Sequence, residues 1–84
     1  MTQEQIFSKV QDIIVNKLGC DKENVIPEAQ LGTELYVDSL DYIEMVMEAE
    51  KVFGIIIPDE QTDFKDTVTV KECCEELEKI INKQ

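Results

Sequence analysis

Ser39 lies between Asp38 and Leu40, where a polar loop meets a segment rich in acidic and apolar residues. If a helix begins here, the serine hydroxyl lies beside backbone N–H groups that have no partner within the helix. These N–H groups and the positive end of the helix dipole stabilise a phosphate attached at this position. The serine is therefore predicted to be an attachment point for a phosphate-linked group, and no residue is predicted to be catalytic.

Ser39 is poorly equipped to act as a catalytic nucleophile, because an ordinary serine needs a neighbouring general base. The chain contains no histidine, which rules out a Ser-His-Asp triad. The residues around Ser39 also lack the G-x-S-x-G pattern of a nucleophile elbow. A simpler alternative is that Asp38 or Ser39 serves only as a helix N-cap, since these residue types are among the most common caps.

The residues that follow Ser39 form a longer and more specific motif. Residues 40–53 read LDYIEMVMEAEKVF, and residues 55–60 read IIIPDE. The D-S-L triplet, the acidic and apolar helix and the I-x-I-P-D-E exit resemble the acyl carrier protein family in order and spacing. The likeness covers nearly the whole chain. It implies that Ser39 carries a covalent 4′-phosphopantetheine, with Asp38 and Leu40 as the flanking residues of the cofactor motif.

The resemblance also implies a function and a set of partners. The protein is expected to be a carrier and not an enzyme, holding acyl groups as thioesters on its arm and delivering them to other proteins, with fatty-acid biosynthesis as the leading pathway. The implied partners are a phosphopantetheinyl transferase and the enzymes that load and modify the acyl chain. A specialised carrier for polyketide, lipid-modifying or amino-acyl chemistry is the alternative within the family.

One residue departs from the family pattern close to the motif. Tyr36 stands where many members have a glycine, in the run Glu34 to Asp38. A bulky aromatic side chain beside the modified serine is expected to alter how the arm lies or which enzymes accept the carrier. The region from Asp59 to Thr67 is also slightly longer than is usual in the family. Both departures concern whether the protein is the general carrier of fatty-acid synthesis. Neither affects its assignment as a carrier.

The charge of the chain limits its partners. The net charge is −11, and residues 23–50 contain no basic side chain. Direct nucleic-acid binding is excluded, since phosphate backbones are bound by lysine and arginine surfaces. Partners with basic patches are favoured, because opposite charges accelerate encounter and fix orientation. A solvated acidic surface that serves only solubility explains the charge equally well. An acidic interaction module, such as a calcium buffer or a DNA mimic, is the alternative from another class, although no EF-hand loop occurs.

Length and cysteine usage indicate a small cytoplasmic protein. Its 84 residues are expected to form one acyl carrier domain, residues 1–84, that is a monomer. Charged residues interrupt the first twenty positions, so neither a signal peptide nor a membrane span is predicted. Cys20, Cys73 and Cys74 lack C-x-x-C spacing, which favours reduced structural cysteines over metal ligands.

The apolar spacing predicts an all-α fold, a four-helix antiparallel bundle with a long first loop and a short third helix. The first helix begins at a Thr2–Gln5 capping box and ends at Gly19. The long loop is expected to be pinned to the core by Val25, Ile26, Leu31 and Leu35. The short third helix is expected to start at Pro58. The last helix begins at Thr69 and buries a stripe consisting of Val70, Cys73, Cys74, Leu77, Ile80 and Ile81.

The second helix, from about Ser39 to Phe53, carries two apolar stripes. The core stripe is predicted to contain Tyr42, Met45, Val46, Ala49 and Phe53. Leu40, Ile43 and Met47 form the second stripe, which is either also core or a partly exposed docking centre. In the docking interpretation, Ile43 and Met47 are surrounded by Asp41, Glu44 and Glu48. The family likeness implies an acyl chain sheltered between the helices, and Met45, Ala49 and Cys74 are expected to line that space.

Overall fold

The computed structural model describes residues 1–58 and 64–83. Within these residues there are three α-helices: α1, Gln3–Leu18; α2, Ser39–Phe53; and α3, Val70–Lys83. A short 3₁₀ turn, Lys22–Asn24, follows α1 and was not anticipated. The all-α class is confirmed, with three α-helices in the described residues where four were expected. The short third helix expected to start at Pro58 would extend into residues 59–63, which lie outside the described residues.

The helix ends are set by local signals. Thr2 and Gln5 form the predicted capping box at the start of α1, with each side chain bonded to the other residue's backbone N–H. Thr69 and Glu72 make the same reciprocal pair before α3. Gly19 and Gly54 end α1 and α2 in the left-handed conformation, which glycine adopts without the steric cost of a Cβ. Short sequence motifs therefore determine where these helices begin and end.

The core is formed where α1 packs against both α2 and α3. The core stripe of α2 is confirmed at four of its five positions, with Met45 and Ala49 buried and Tyr42 and Phe53 partly buried against the core. Val46, the fifth, is partly buried but is not packed against this core. The loop between α1 and α2 contributes five buried side chains, more than any one of the three helices. The buried set consists of Ile6, Val10, Ile13, Ile14, Val25, Ala29, Leu31, Leu35, Val37, Met45, Ala49, Ile55, Val70, Cys74, Leu77 and Ile80.

The long loop between α1 and α2 is anchored as predicted at three of its four apolar positions. Val25, Leu31 and Leu35 are buried, but Ile26 is exposed, so its predicted anchoring role is wrong. Val25 and Ile26 are neighbours in an irregular segment and face different ways, and only Val25 turns towards the core. Ala29 and Val37 are additional buried anchors that were not predicted.

Backbone hydrogen bonds join this loop to the segment before α3. The Leu31 N–H donates to the Val68 carbonyl at 2.9 Å, and the Gly32 N–H donates to the Asp66 carbonyl at 3.0 Å. These two segments of the chain approach so closely that a Cβ on Gly32 would lie 2.5 Å from the Asp66 Cα. The Val37 N–H then donates to the Leu31 carbonyl at 2.9 Å. These bonds fix the direction in which the loop enters α2.

Candidate functional site

Ser39 is the first residue of α2, and Asp38 is the N-cap. The Asp38 carboxylate accepts a hydrogen bond from the Asp41 N–H at 2.8 Å, while the Asp41 carboxylate accepts one from the Asp38 N–H at 3.3 Å. This capping box satisfies one first-turn donor and fixes the start of the helix. Asp38 therefore serves as a helix N-cap, as the simpler interpretation predicted for it. The Ser39 hydroxyl takes no part in the cap.

The Ser39 side chain is exposed at the helix N-terminus. Among the described residues, neither its hydroxyl nor its N–H has a hydrogen-bond partner. The N-terminal end of the helix carries partial positive charge, and N–H groups in the first turn point outwards. A phosphodiester on the Ser39 Oγ would accept hydrogen bonds from such donors. The residues present thus fit the attachment of a phosphate-linked group.

The second apolar stripe of α2 faces outwards. Leu40, Ile43 and Met47 are 72%, 50% and 54% exposed, and together they are called the α2 patch below. The alternative that these three residues belong to the core is wrong. They lie on the side of the helix opposite the buried Met45 and Ala49, as spacings of three and four residues require. The patch begins one residue after Ser39.

The three predicted docking carboxylates differ in their surroundings. Glu44 is exposed, whereas Asp41 is partly buried and occupied in the capping box. The Glu48 carboxylate lies 3.6 Å from the Nζ of Lys17 on α1. This ion pair was not predicted, because it joins residues far apart in sequence. It leaves Glu44 as the carboxylate most available to a partner.

The loop presents Tyr36 on the outside of the protein just before the motif. Leu35 and Val37 are both buried, and Tyr36 between them is 84% exposed. Its backbone has a φ of 58°, in the left-handed region. The structure places an aromatic side chain three residues before Ser39.

An apolar cleft of about 220 Å³ lies between the three helices. Met45 and Ala49 line it as predicted, but Cys74 does not and instead borders a surface groove beside Phe7. Cys73 lines the cleft in its place. Adjacent residues on a helix point in directions about 100° apart, and of the two cysteines only Cys73 is turned towards the cleft. Residues from all three helices contribute, namely Val10, Ile13, Tyr42, Met45, Val46, Ala49, Cys73, Leu77 and Ile80.

All three cysteines are free thiols. Burial raises the pKa of Cys73 to about 12 and that of Cys74 to about 11, with smaller contributions from neighbouring groups. Burial, followed by Asp21 and Asp41, also raises the pKa of Cys20. A raised pKa keeps a thiol protonated and unreactive at neutral pH. The cleft is thus lined by a thiol that behaves as a small apolar side chain.

Comparison with known proteins identifies the family. The family described as "Phosphopantetheine attachment site" matches residues 8–77. An "Acyl carrier protein" of Rubrobacter xylanophilus is 44% identical over 68 residues, covering 81% of this chain and 84% of the relative. The chain belongs to the acyl carrier protein family. Similar relatives include the acyl carrier proteins of Chlorobium phaeobacteroides, 46% identical over 81% of this chain and 87% of the relative, and of Karelsulcia muelleri, 54% identical over 67% and 68%.

Family membership assigns to this chain a carrier role, which is not that of an enzyme, and a covalent 4′-phosphopantetheine. It also favours the carrier over the acidic interaction module. Acyl carrier proteins interact in general with a phosphopantetheinyl transferase and with acyl-handling enzymes. Within the described ranges, no helix is both long and apolar enough to cross a lipid bilayer. The same ranges contain no group of three or more side chains suited to holding a metal ion.

Proposed function

We propose that Ser39 is the residue to which 4′-phosphopantetheine is attached. The observation that carries this proposal is the exposed hydroxyl at the first position of α2, outside the capping box and beside open backbone donors. Ser8, the other serine, lies within α1 and has no free helix end beside it. The arm supplies a terminal thiol that carries acyl groups as thioesters, while the residues of this chain position the arm and present it.

The α2 patch and its acidic neighbours are proposed to be the surface on which partner enzymes dock. Ile43 and Met47 would supply apolar contact, and Asp41, Glu44 and Glu48 would supply negative charge around it. A partner with basic side chains around an apolar depression is complementary to this arrangement. Exposed ion pairs are weak and are screened by salt, which suits a carrier that must dock and leave repeatedly.

The cleft between the helices is the proposed shelter for an acyl chain. Its lining is mainly apolar, and flexible Met45 and small Ala49 leave room for a guest. Glu72 and Glu76, both exposed, border it on the α3 side. Entry of an alkyl chain into such a space removes apolar surface from water and stabilises the loaded protein.

Fatty-acid biosynthesis is the proposed pathway, with residues 1–84 acting as one carrier domain, as a monomer, in the cytoplasm. The curated relatives carry the general name "Acyl carrier protein", which supports the general role. Tyr36 favours the second candidate, a carrier specialised for polyketide, lipid-modifying or amino-acyl chemistry, because it alters the surface beside Ser39. The thioester cargo of the protein in its own cells would distinguish the two.

The attachment site can be tested by transfer in vitro. The protein is incubated with coenzyme A, magnesium and a broad-specificity phosphopantetheinyl transferase, and its intact mass is measured. We expect one arm on the wild type and none on Ser39→Ala, since no other serine has the same helix-terminal setting. Ser8→Ala is the matched control and should be modified like the wild type. Transfer onto Ser39→Ala would show that the assignment is wrong.

A further inference from the structure

Tyr36 has a backbone conformation that its residue type disfavours. Its φ of 58° is in the left-handed region, where the Cβ of an L-residue crowds the backbone. In the described part of the chain, the other residues with positive φ are Gly19 and Gly54, which have no Cβ. The strain persists because both neighbours, Leu35 and Val37, are buried and the Val37 N–H is bonded to the Leu31 carbonyl.

No packing within the protein compensates for this strain. The Tyr36 side chain is 84% exposed and is not part of the core or of the partly buried layer around it. A glycine would relieve the strain and, at so exposed a site, would remove little packing. Residues held in strained conformations occur preferentially at sites of function. The position therefore points to a role for the aromatic ring outside the folded monomer.

Tyr36 is an exposed side chain close to Ser39 on the side away from the α2 patch in sequence. Consecutive Cα atoms are about 3.8 Å apart, so three peptide steps place the Tyr36 Cα within about 11 Å of the Ser39 Cα. Leu40, 72% exposed, follows Ser39 directly. Exposed apolar side chains thus precede and follow the serine. The surrounding residues 23–50 are acidic with no basic side chain, which makes this surface complementary to a protein with lysine and arginine side chains around an apolar pocket.

We propose that Tyr36 is an aromatic anchor that inserts into an apolar, lysine- and arginine-rimmed pocket at the entrance of partner enzymes, and so determines which enzymes dock around Ser39. The proposal rests on the proposed function, because it assumes that partners approach this serine. Tyrosine is enriched among the residues that dominate protein interfaces, where the ring is buried and the hydroxyl stays at the polar edge. In the free protein, the strained backbone conformation presents the ring for that contact.

The test compares Tyr36→Gly, Tyr36→Phe and the control Ile56→Ala. Ile56 is 79% exposed and lies beyond the far end of α2, so the control removes a similar exposed apolar group away from Ser39. The probe is the phosphopantetheinyl transferase of the same organism acting on the arm-free protein. We expect Tyr36→Gly to raise the apparent KM at least about fivefold with kcat nearly unchanged. Tyr36→Phe and Ile56→Ala should stay within about twofold of the wild type.

Thermal unfolding separates docking from folding. Tyr36→Gly should melt at or above the midpoint of the wild type, because the left-handed strain is removed. A raised KM in a protein of unchanged or higher midpoint supports the anchor. A lower midpoint accompanying the raised KM would overturn it, since Tyr36 would then act through the fold.

Direct binding separates this proposal from the proposed function. Titration of the transferase with the arm-free wild type and with Tyr36→Gly should show weaker binding of the variant by the same factor as the KM. Equal dissociation constants for the two arm-free proteins would overturn the anchor. This holds also if the substitution weakens binding only of the protein that carries the arm, because the ring would then pack on the arm and not on the partner. If the wild type accepts no arm at all, the proposed attachment at Ser39 is wrong. The titration of the arm-free proteins then decides by itself whether Tyr36 contacts the transferase.

Discussion

Cys73 and Cys74 are neighbours in sequence that face different surroundings. Cys73 lines the cleft, while Cys74 is 1% exposed in the core. Both thiols have pKa values well above the ordinary 9.0, mainly because burial disfavours the thiolate. A thiol that stays protonated is a weak nucleophile, so both residues are expected to act as small apolar side chains.

These two thiols are expected to make the stability of the fold depend on pH in the alkaline range. The unfolded chain releases thiol protons near pH 9.0, and the folded chain holds them to about 11 and 12. The unfolded state therefore binds fewer protons above pH 9, and the free energy of unfolding falls as the pH rises from about 9 towards 11. We expect a shallower decline in Cys73→Ala/Cys74→Ala. Thermal midpoints measured from pH 8 to 10.5 provide the check, and parallel curves for the two proteins would contradict it.

At the scale of elements, α2 separates its functions by face. Met45 and Ala49 hold the helix to the core, and the α2 patch faces outwards. The capping box places Ser39 at the helix end, and the Lys17–Glu48 ion pair connects α2 to α1. A change on the outer face should therefore affect partners before it affects the fold.

Charge reversal at Glu44 tests the docking face. Glu44→Lys should raise the apparent KM for arm transfer about two- to fivefold at low salt, since an exposed pair contributes about 0.2 to 1 kcal/mol. The effect should shrink as salt screens the charges. Glu48 is unsuitable because its reversal would also break the pair with Lys17.

Glu75→Lys is the matched control. It reverses one exposed carboxylate on α3 and changes the net charge by the same amount. Its KM should stay close to that of the wild type. Equal impairment of both variants, or of neither at low salt, would mean that the acidic face of α2 is only a solvated surface.

The sequence contains enough local information to place most helix ends and the candidate attachment residue. Thr2 with Gln5, Thr69 with Glu72, and Gly19 are signals within a few residues of the ends they set. Side-chain direction in irregular or adjacent positions depends on distant contacts, and there the predictions fail. Ile26 is exposed, and Cys74 does not face the cleft.

Two further features of the site could not be predicted from local sequence patterns. The Lys17–Glu48 pair depends on how α1 and α2 pack. The left-handed φ of Tyr36 occurs in a loop that is held by hydrogen bonds to Asp66 and Val68, far along the sequence. The departure of Tyr36 from the family glycine was visible in the sequence, but its strain and its exposure required the structure.

At the scale of the whole molecule, negative charge has the widest influence. A net charge of −11 in an 84-residue chain produces strong self-repulsion, and the described residues contain few ion pairs to offset it. Counter-ions screen such repulsion over about 10 Å at 0.1 M salt. A field of this sign is expected to weaken the fold and would attract the basic partners proposed above.

Stability should therefore rise with salt or with millimolar divalent cations. We expect the thermal midpoint to increase steadily over a sodium chloride series from about 0.01 to 0.5 M, because screening lowers the repulsion among carboxylates. Calorimetry or circular dichroism melts at fixed pH measure the change. A midpoint that is flat or falls with salt would mean that the field of the whole protein contributes little to its stability.

The most direct test of the carrier role is the intact mass of the protein purified from the cells that produce it naturally, with the modified residue located by peptide fragmentation. We expect one 4′-phosphopantetheine per chain, linked to Ser39, with a fraction of the molecules bearing an acyl group on the arm. An unmodified chain, or an arm linked to any other residue, would contradict it.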